Sequence, residues 1–413
     1  MVVGQNELRA VIKEKLAKVE IVDVHTHLFP AAFDRMLLWG IDEVLTYHYL
    51  IAEYFRYSDM EYREFFQLPK SVQAELVWET LFLKRSPVSE AQRGVLTILS
   101  KLGLDVGSRS LQTYRDYYNN LTLDEQIDTV FDLAGVKEIV MTNDPFDPEE
   151  RQIWKRGIEV DPRFRSSLRI DPLLMDYAEA SKVLQAEGFQ VDRDFGGSSA
   201  AEVRRLLEDW IVRIKALYMA ASLPPSFAVS DGSLTSRILH ECVLPVCREQ
   251  GIPFAMMIGV KKLVNKPLGL AGDSVGKADI RVVEELCTEY PQNKFLVTML
   301  SRENQHELAI TARKYRNLMV FGCWWFLNNP SLVQEITEMR LETLGLSFIP
   351  HHSDARVLEH LMYKWEHSKA IIGQVLVNKY AGLLDAGWPL TEDSIERDID
   401  ELFSGSFYRF LAK

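Results

Sequence analysis

Ile21-Val22-Asp23-Val24-His25-Thr26-His27-Leu28 reads as a short buried strand, in which apolar residues alternate with Asp23 and then give way to His25 and His27. Side chains two apart on a strand share a face, roughly 6.6 Å apart at about 3.3 Å per residue. Two rings at that separation can lean together on one ion, because neutral imidazole is a frequent metal ligand. Two adjacent core or surface histidines are the plain alternative. With nine histidines in 413 residues, and the pair at a strand's C-terminal end, metal binding or catalysis is the favoured expectation.

Before this strand, residues 1–20 mix charges with apolar residues at helical spacing, which predicts a leading amphipathic helix and argues against a signal peptide. After it, residues 29–134 carry aromatics, leucines and charges at i, i+3, i+4 spacing, as in DEVLTYHYLIAEYF and DEQIDTVFDLA. They read as a helical insertion. Within it His48 and Tyr49 are adjacent polar aromatics, open to either a buried structural role or a role in a site.

From Val136 short apolar runs alternate with amphipathic segments. KEIVMTND, SSLRIDP, ALYMAASLP, IPFAMMIGV, KFLVTML, LMVFGCWW and LSFIPHHSD have the length and composition of buried parallel strands. With the opening strand they make eight, which predicts an α/β fold, a (β/α)8 barrel with a helical insertion after its first strand. The expected organisation is residues 1–28 as leading helix and first strand, 29–134 as insertion, and 135–413 as the rest of the barrel with C-terminal helices. No repeat or linker divides the chain.

The net charge of −12 disfavours nucleic acid and anionic membranes, and no apolar run is long enough to span a bilayer. Cys242, Cys247, Cys287 and Cys323 show no CxxC spacing, so neither a disulfide framework nor a thiolate zinc site is expected. The expected compartment is the cytoplasm.

In such barrels the active site collects at the C-terminal strand ends. There the sequence offers His25 and His27, then Arg169, Arg302, Trp324 and Trp325, and finally His351, His352, Asp354 and Arg356. Strand eight closes beside strand one, so Asp354 is the best-placed third ligand for a metal, a helix N-cap being its other role. Each arginine can bind an anion through its planar fork or serve in an ion pair. The two tryptophans can be core, or can wall a pocket for a polyhydroxylated ligand.

HTHL, HYL, TNDP, the LG-AGD-VG pattern at 268–276, GCWWF and SDAR occur here in an order and at spacings that resemble the uronate isomerases of the amidohydrolase superfamily, in a divergent bacterial branch. The resemblance runs from about residue 20 to the end. It implies a distorted (β/α)8 TIM-like barrel that interconverts D-glucuronate with D-fructuronate and D-galacturonate with D-tagaturonate. By position it puts one divalent ion, zinc being the first expectation, on His25, His27 and Asp354. It makes His48 and Tyr49 the active-site aromatic pair and Arg356 the substrate-facing arginine. Tyr49 is the expected base, His48 its partner and Asp354 a proton shuttle. Arg169, Arg302 and Arg356 are candidates for the uronate carboxylate. Met257 and Leu223 stand where relatives carry His and Asp.

Two other readings use the same barrel: a mononuclear metal-dependent hydrolase or deaminase, and a non-catalytic sugar-acid-binding barrel. The expected partner is a small hexuronate. A homo-oligomer is common for such barrels, with no interface legible in the sequence.

Overall fold

In the computed structural model, which describes residues 2–413, β1 (Ile21–Thr26) is buried along its whole length, so its alternation separates two inner surfaces rather than core from solvent. It pairs in parallel with β2 (Val136–Asn143), and the parallel sheet continues through β3 (Phe164–Arg169), β4 (Ala216–Leu223) and β5 (Phe254–Ile258). A short hairpin of β6 (Val260–Lys261) and β7 (Ser274–Val275) interrupts the sequence before the sheet resumes with β8 (Phe295–Met299) and β9 (Leu318–Val320). Amphipathic helices cover the outside of this curled sheet. Ile139, Val140, Met141, Phe254 and Phe295 are fully buried between the layers, each contributing about 1.5–3 kcal/mol through burial.

The eighth strand expected at 346–354 does not form as a regular strand; the sheet has seven strands. The chain still fills the gap. On one side Phe321 and Ile349 form a parallel bridge, with Gly322 N–H donating to the Ile349 carbonyl at 2.8 Å. On the other, Asp354 N–H donates to the His25 carbonyl at 3.1 Å and His27 N–H to the Ala355 carbonyl at 2.7 Å. Two features break the ladder: Pro350 has no N–H to give, and Asp354 has φ +50°, outside strand geometry. The barrel is thus distorted where its catalytic-end loop meets β1.

Every regular element between β1 and β2 is helical. The last of them, Leu123–Ala134, starts at a Thr122 capping box and ends at Gly135 with φ +68°, which hands the chain directly to β2. This helix, Glu90–Lys101 and the leading helix Gln5–Lys18 all pack on the 26-residue helix His360–Asp385. That long helix therefore backs both the barrel closure and the insertion. The four cysteines are free and buried, and among the described residues no helix is long and apolar enough to cross a membrane.

Candidate active site

Asp23 and His25 alternate on β1 and point toward the closure, and His27 follows directly after the strand's last residue. Asp23 is fully buried. Its carboxylate accepts from Ser353 N–H at 3.1 Å, from the Trp365 indole at 2.8 Å and from the N–H of His25 at 3.4 Å. Burial raises its pKa against those hydrogen bonds. It fastens the 351–355 segment to β1, so the residues on both sides of the seam keep a fixed relation.

Across that seam, Asp354 Oδ1 lies 3.5 Å from His25 Nε2 and 3.3 Å from His27 Nε2. The tautomers follow from the neighbours. The Thr142 hydroxyl donates to the Thr26 carbonyl at 2.8 Å, so at 3.4 Å its oxygen is left to accept from His25 Nδ1–H, which turns the His25 Nε2 lone pair toward Asp354. Arg356 has only N–H groups to offer, so at 3.2 Å it finds His27 Nε2 as an acceptor. Burial, then the Arg356 guanidinium, drives the His27 imidazole well below its ordinary pKa, so it is neutral.

Three electron-pair donors thus converge, within 4.8 Å of one another. His25 Nε2 and Asp354 Oδ1 are buried without a hydrogen-bond partner. Two imidazoles and a carboxylate are the donor set that a divalent cation of intermediate hardness takes, and a cation would relieve the facing lone pairs. The residues fit a metal. Met257 and Leu223 are buried and apolar at the ends of β5 and β4, so neither strand adds a ligand.

Beside this cluster opens a cavity of about 660 Å³, lined among others by His27, Tyr47, His48, Arg169 and Arg356. Its polar wall is the helix His48–Tyr54 with the residue before it. The His48 ring stacks on Trp325 at 5.6 Å with only 4° between planes, and it packs at 4.4 Å against Tyr49. Tyr47 O–H, His48 Nε2, Tyr49 O–H and Trp325 Nε1 are all buried without partners. Burial costs such groups a few kcal/mol unless a ligand satisfies them, and a polyhydroxylated ligand would do so. Burial, then Arg356, lowers the His48 pKa to about 3. Burial, then Tyr47 and Asp354, raises that of Tyr49 well above 10.

Another part of the wall carries Arg169 among the carboxylates of Asp144, Asp147 and Glu150. Arg169 lines the cavity with its guanidinium held edge-on by Asp171, Nε at 3.0 Å and Nη2 at 3.1 Å, which leaves Nη1 to face a ligand. The β6–β7 hairpin loop closes the mouth with Leu268, Leu270 and Ala271.

Two expected residues are not brought to the site. The Arg302 side chain points outward, 57% exposed and paired with Glu335 at 3.0 Å. Ser301 caps the short 3-10 turn Arg302–Asn304, and that turn aims position 302 away from the barrel mouth. Trp324 is buried at 3% exposure, and neither tryptophan lines the cavity, but Trp325, with φ +48°, stacks on His48, which does. Asp23, Tyr47 and Glu150 went unread. Glu150 accepts from the Asn143 amide at 2.7 Å and Asp144 N–H at 2.9 Å, and burial pushes its pKa up to about 8.

A crystal structure described as a uronate isomerase from Bacillus halodurans C-125 matches with a TM-score of 0.98 and 54% sequence identity, covering 100% of this chain and 98% of that one. The chain belongs to the uronate isomerase family. A uronate isomerase from Thermotoga maritima matches at TM-score 0.78 and a glucuronate isomerase from Caulobacter crescentus at 0.79. Both are 15% identical and span the whole of this chain, with 100% and 95% of their own lengths covered, so they show the same fold. No protein-family model and no curated protein sequence matches the chain. As a family member the chain is an aldose–ketose isomerase, and the barrel expected from its strand pattern has the distortion that the resemblance implies.

Proposed function

We propose that this chain interconverts D-glucuronate with D-fructuronate and D-galacturonate with D-tagaturonate by proton transfer through an enediol. The observation that supports this most is the convergence of His25, His27 and Asp354, with Arg356 on His27, next to a cavity lined by His27, His48, Arg169 and Arg356, with Tyr49 packed against His48. An aldose becomes a ketose when one hydrogen moves from C2 to C1 and another from O2 to O1. Both transfers need groups placed at one end of the sugar.

In this reading Tyr49 takes the C2 proton, which can exchange with solvent, and a proton is delivered to C1, with His48 orienting the phenol or handling ring opening. Asp354 moves the hydroxyl proton between O2 and O1. Arg169 binds the C6 carboxylate through Nη1, as Arg356 holds charge that develops on oxygen at the other end. A divalent ion, for which we propose zinc, would be held by His25, His27 and Asp354 and would polarise the substrate oxygens as a Lewis acid. Tyr47 and Trp325 donate to sugar hydroxyls. Burial holds the Tyr49 phenol protonated, so positive charge near it is a requirement of the scheme. The free buried cysteines support a reducing compartment, and we place the reaction in the cytoplasm.

The mononuclear hydrolase or deaminase reading would use the same His25, His27 and Asp354 set and draws less support, since the chain belongs to the uronate isomerase family. Incubating the purified protein separately with D-glucuronate and D-galacturonate, and following the sugars by proton NMR, tests the proposal. Appearance of either ketouronate supports it; unchanged sugars in the presence of added zinc, manganese or cobalt would remove it.

A further inference from the structure

Lys364 is buried beside the site and none of these roles uses it. It lies in the helix His360–Asp385, 2% exposed, and its ammonium donates to the Ser353 carbonyl. A buried lysine that served stability alone would be expected to meet a carboxylate, or to be replaced by an apolar side chain at lower cost. This one meets a carbonyl instead, immediately before Asp354.

Two charges grip Ser353 from opposite sides. The Asp23 carboxylate accepts its N–H and the Lys364 ammonium holds its C=O. Ser353 Oγ then accepts from Ala355 N–H at 3.1 Å, and Asp354 N–H is fixed to the His25 carbonyl at 3.1 Å. Asp354 sits between these anchors with φ +50°, a conformation that a non-glycine residue keeps only when its surroundings impose it. The same ammonium lies 5.8 Å from the centre of the Tyr49 ring, in a region closed to water. A fixed cation there favours the phenolate, and at low dielectric its influence carries further than in water. Burial lowers the Lys364 pKa to about 8, with Asp354 and Asp23 opposing the fall, so it is mostly charged at neutral pH.

We propose that Lys364 is a positioning residue for the proton transfer: its ammonium fixes the backbone that carries Asp354 and supplies the positive charge under Tyr49. This rests on the reading of Tyr49 and Asp354 as the proton-transfer pair. It adds a second cation of the chain itself to Arg356, whose charge already favours the Tyr49 phenolate, apart from any metal.

The test compares Lys364→Met and Lys364→Ala with the parent and with Tyr49→Phe, on D-glucuronate. Lys364→Met is expected to lower kcat about 100-fold or more with KM within about threefold, since preorganised charge acts on the transition state rather than on binding. Ethylammonium chloride is expected to restore part of the kcat of Lys364→Ala saturably, and ethanol is not. A purely structural lysine would show no such charge-dependent rescue. If Lys364→Met keeps kcat within about threefold of the parent, if the loss falls on KM instead, or if ethylammonium restores nothing, the inference is overturned. Should Tyr49→Phe turn over normally, the proton-transfer reading itself falls; an inactive Tyr49→Phe beside an active Lys364→Met removes only the role of Lys364.

Discussion

His25 Nε2 faces Asp354 Oδ1 across 3.5 Å, both groups buried and neither satisfied by a hydrogen bond. With the Thr142 hydroxyl given to the Thr26 carbonyl, neutral His25 donates from Nδ1 to Thr142 and turns its Nε2 lone pair toward Asp354. Two electron-pair donors held so close are stable together when a cation lies between them, which gives the site its first testable consequence.

The full-length protein is expected to bind one divalent ion per chain, measured by elemental analysis after dialysis against zinc. His25→Ala and Asp354→Asn should each lower affinity about 100-fold or more, as loss of one of three protein ligands does. Full retention of metal by both variants would contradict the assignment.

Tyr49→Phe removes one oxygen from a phenol whose hydroxyl has no protein partner, so folding should be unaffected. Turnover should fall by about 100- to 10,000-fold, the contribution typical of a positioned acid or base. A circular dichroism melt alongside the kinetics separates the two effects. Near-normal kcat would remove Tyr49 as the base.

Arg169→Met and Arg302→Met should behave differently, although both residues follow strands of the barrel. Loss of a charge-assisted bond to the substrate carboxylate costs about 1.5–3 kcal/mol, which corresponds to a rise in KM of about 10- to 100-fold for Arg169→Met. Arg302 pairs with Glu335 at the surface, and such pairs contribute at most about 1 kcal/mol, so Arg302→Met should leave kcat and KM within about twofold. Equal effects on KM would contradict the placement of the carboxylate.

Glu359 makes a prediction about stability. It is fully buried, accepts from Gly40 N–H at 3.1 Å and Gln126 at 3.0 Å, and burial pushes its pKa up to about 7. The folded state therefore holds this proton more tightly than the unfolded chain does. Its contribution is complete below the unfolded value of about 4.5, declines as pH rises toward 7, and is gone above it. Glu359→Gln keeps the acceptor oxygen and cannot ionise. Urea titrations from pH 5 to 8 should show the parent losing on the order of 1–3 kcal/mol relative to Glu359→Gln. Parallel curves would contradict this.

The barrel and the metal cluster were legible because strand alternation is a local signal: HxH on a buried strand has one geometric outcome, and a last-strand Asp must meet it if the barrel closes. What failed was direction just beyond a strand. Whether residue 302 turns inward depends on the Ser301 cap and the 3-10 turn after it, and Trp324 and Trp325 part ways because Trp325 adopts a positive φ. The eighth strand looked regular in composition, yet Pro350 and Asp354 interrupt its ladder. Asp23 could have been found as a lone carboxylate inside an apolar strand, a group that must have partners elsewhere. Lys364 could not. On a helix of mixed composition it reads as a solvated charge, and only the packing of that helix against the closure buries it.

The central claim is that this chain moves a proton between adjacent carbons of a hexuronate. It is tested most directly by turnover of D-glucuronate in D2O, with the metal-loaded parent and Tyr49→Phe side by side and the sugar followed by NMR. Fructuronate carrying deuterium at C1 from the parent, and none from Tyr49→Phe, is the expected result. Fructuronate formed equally well by Tyr49→Phe would contradict proton transfer through Tyr49.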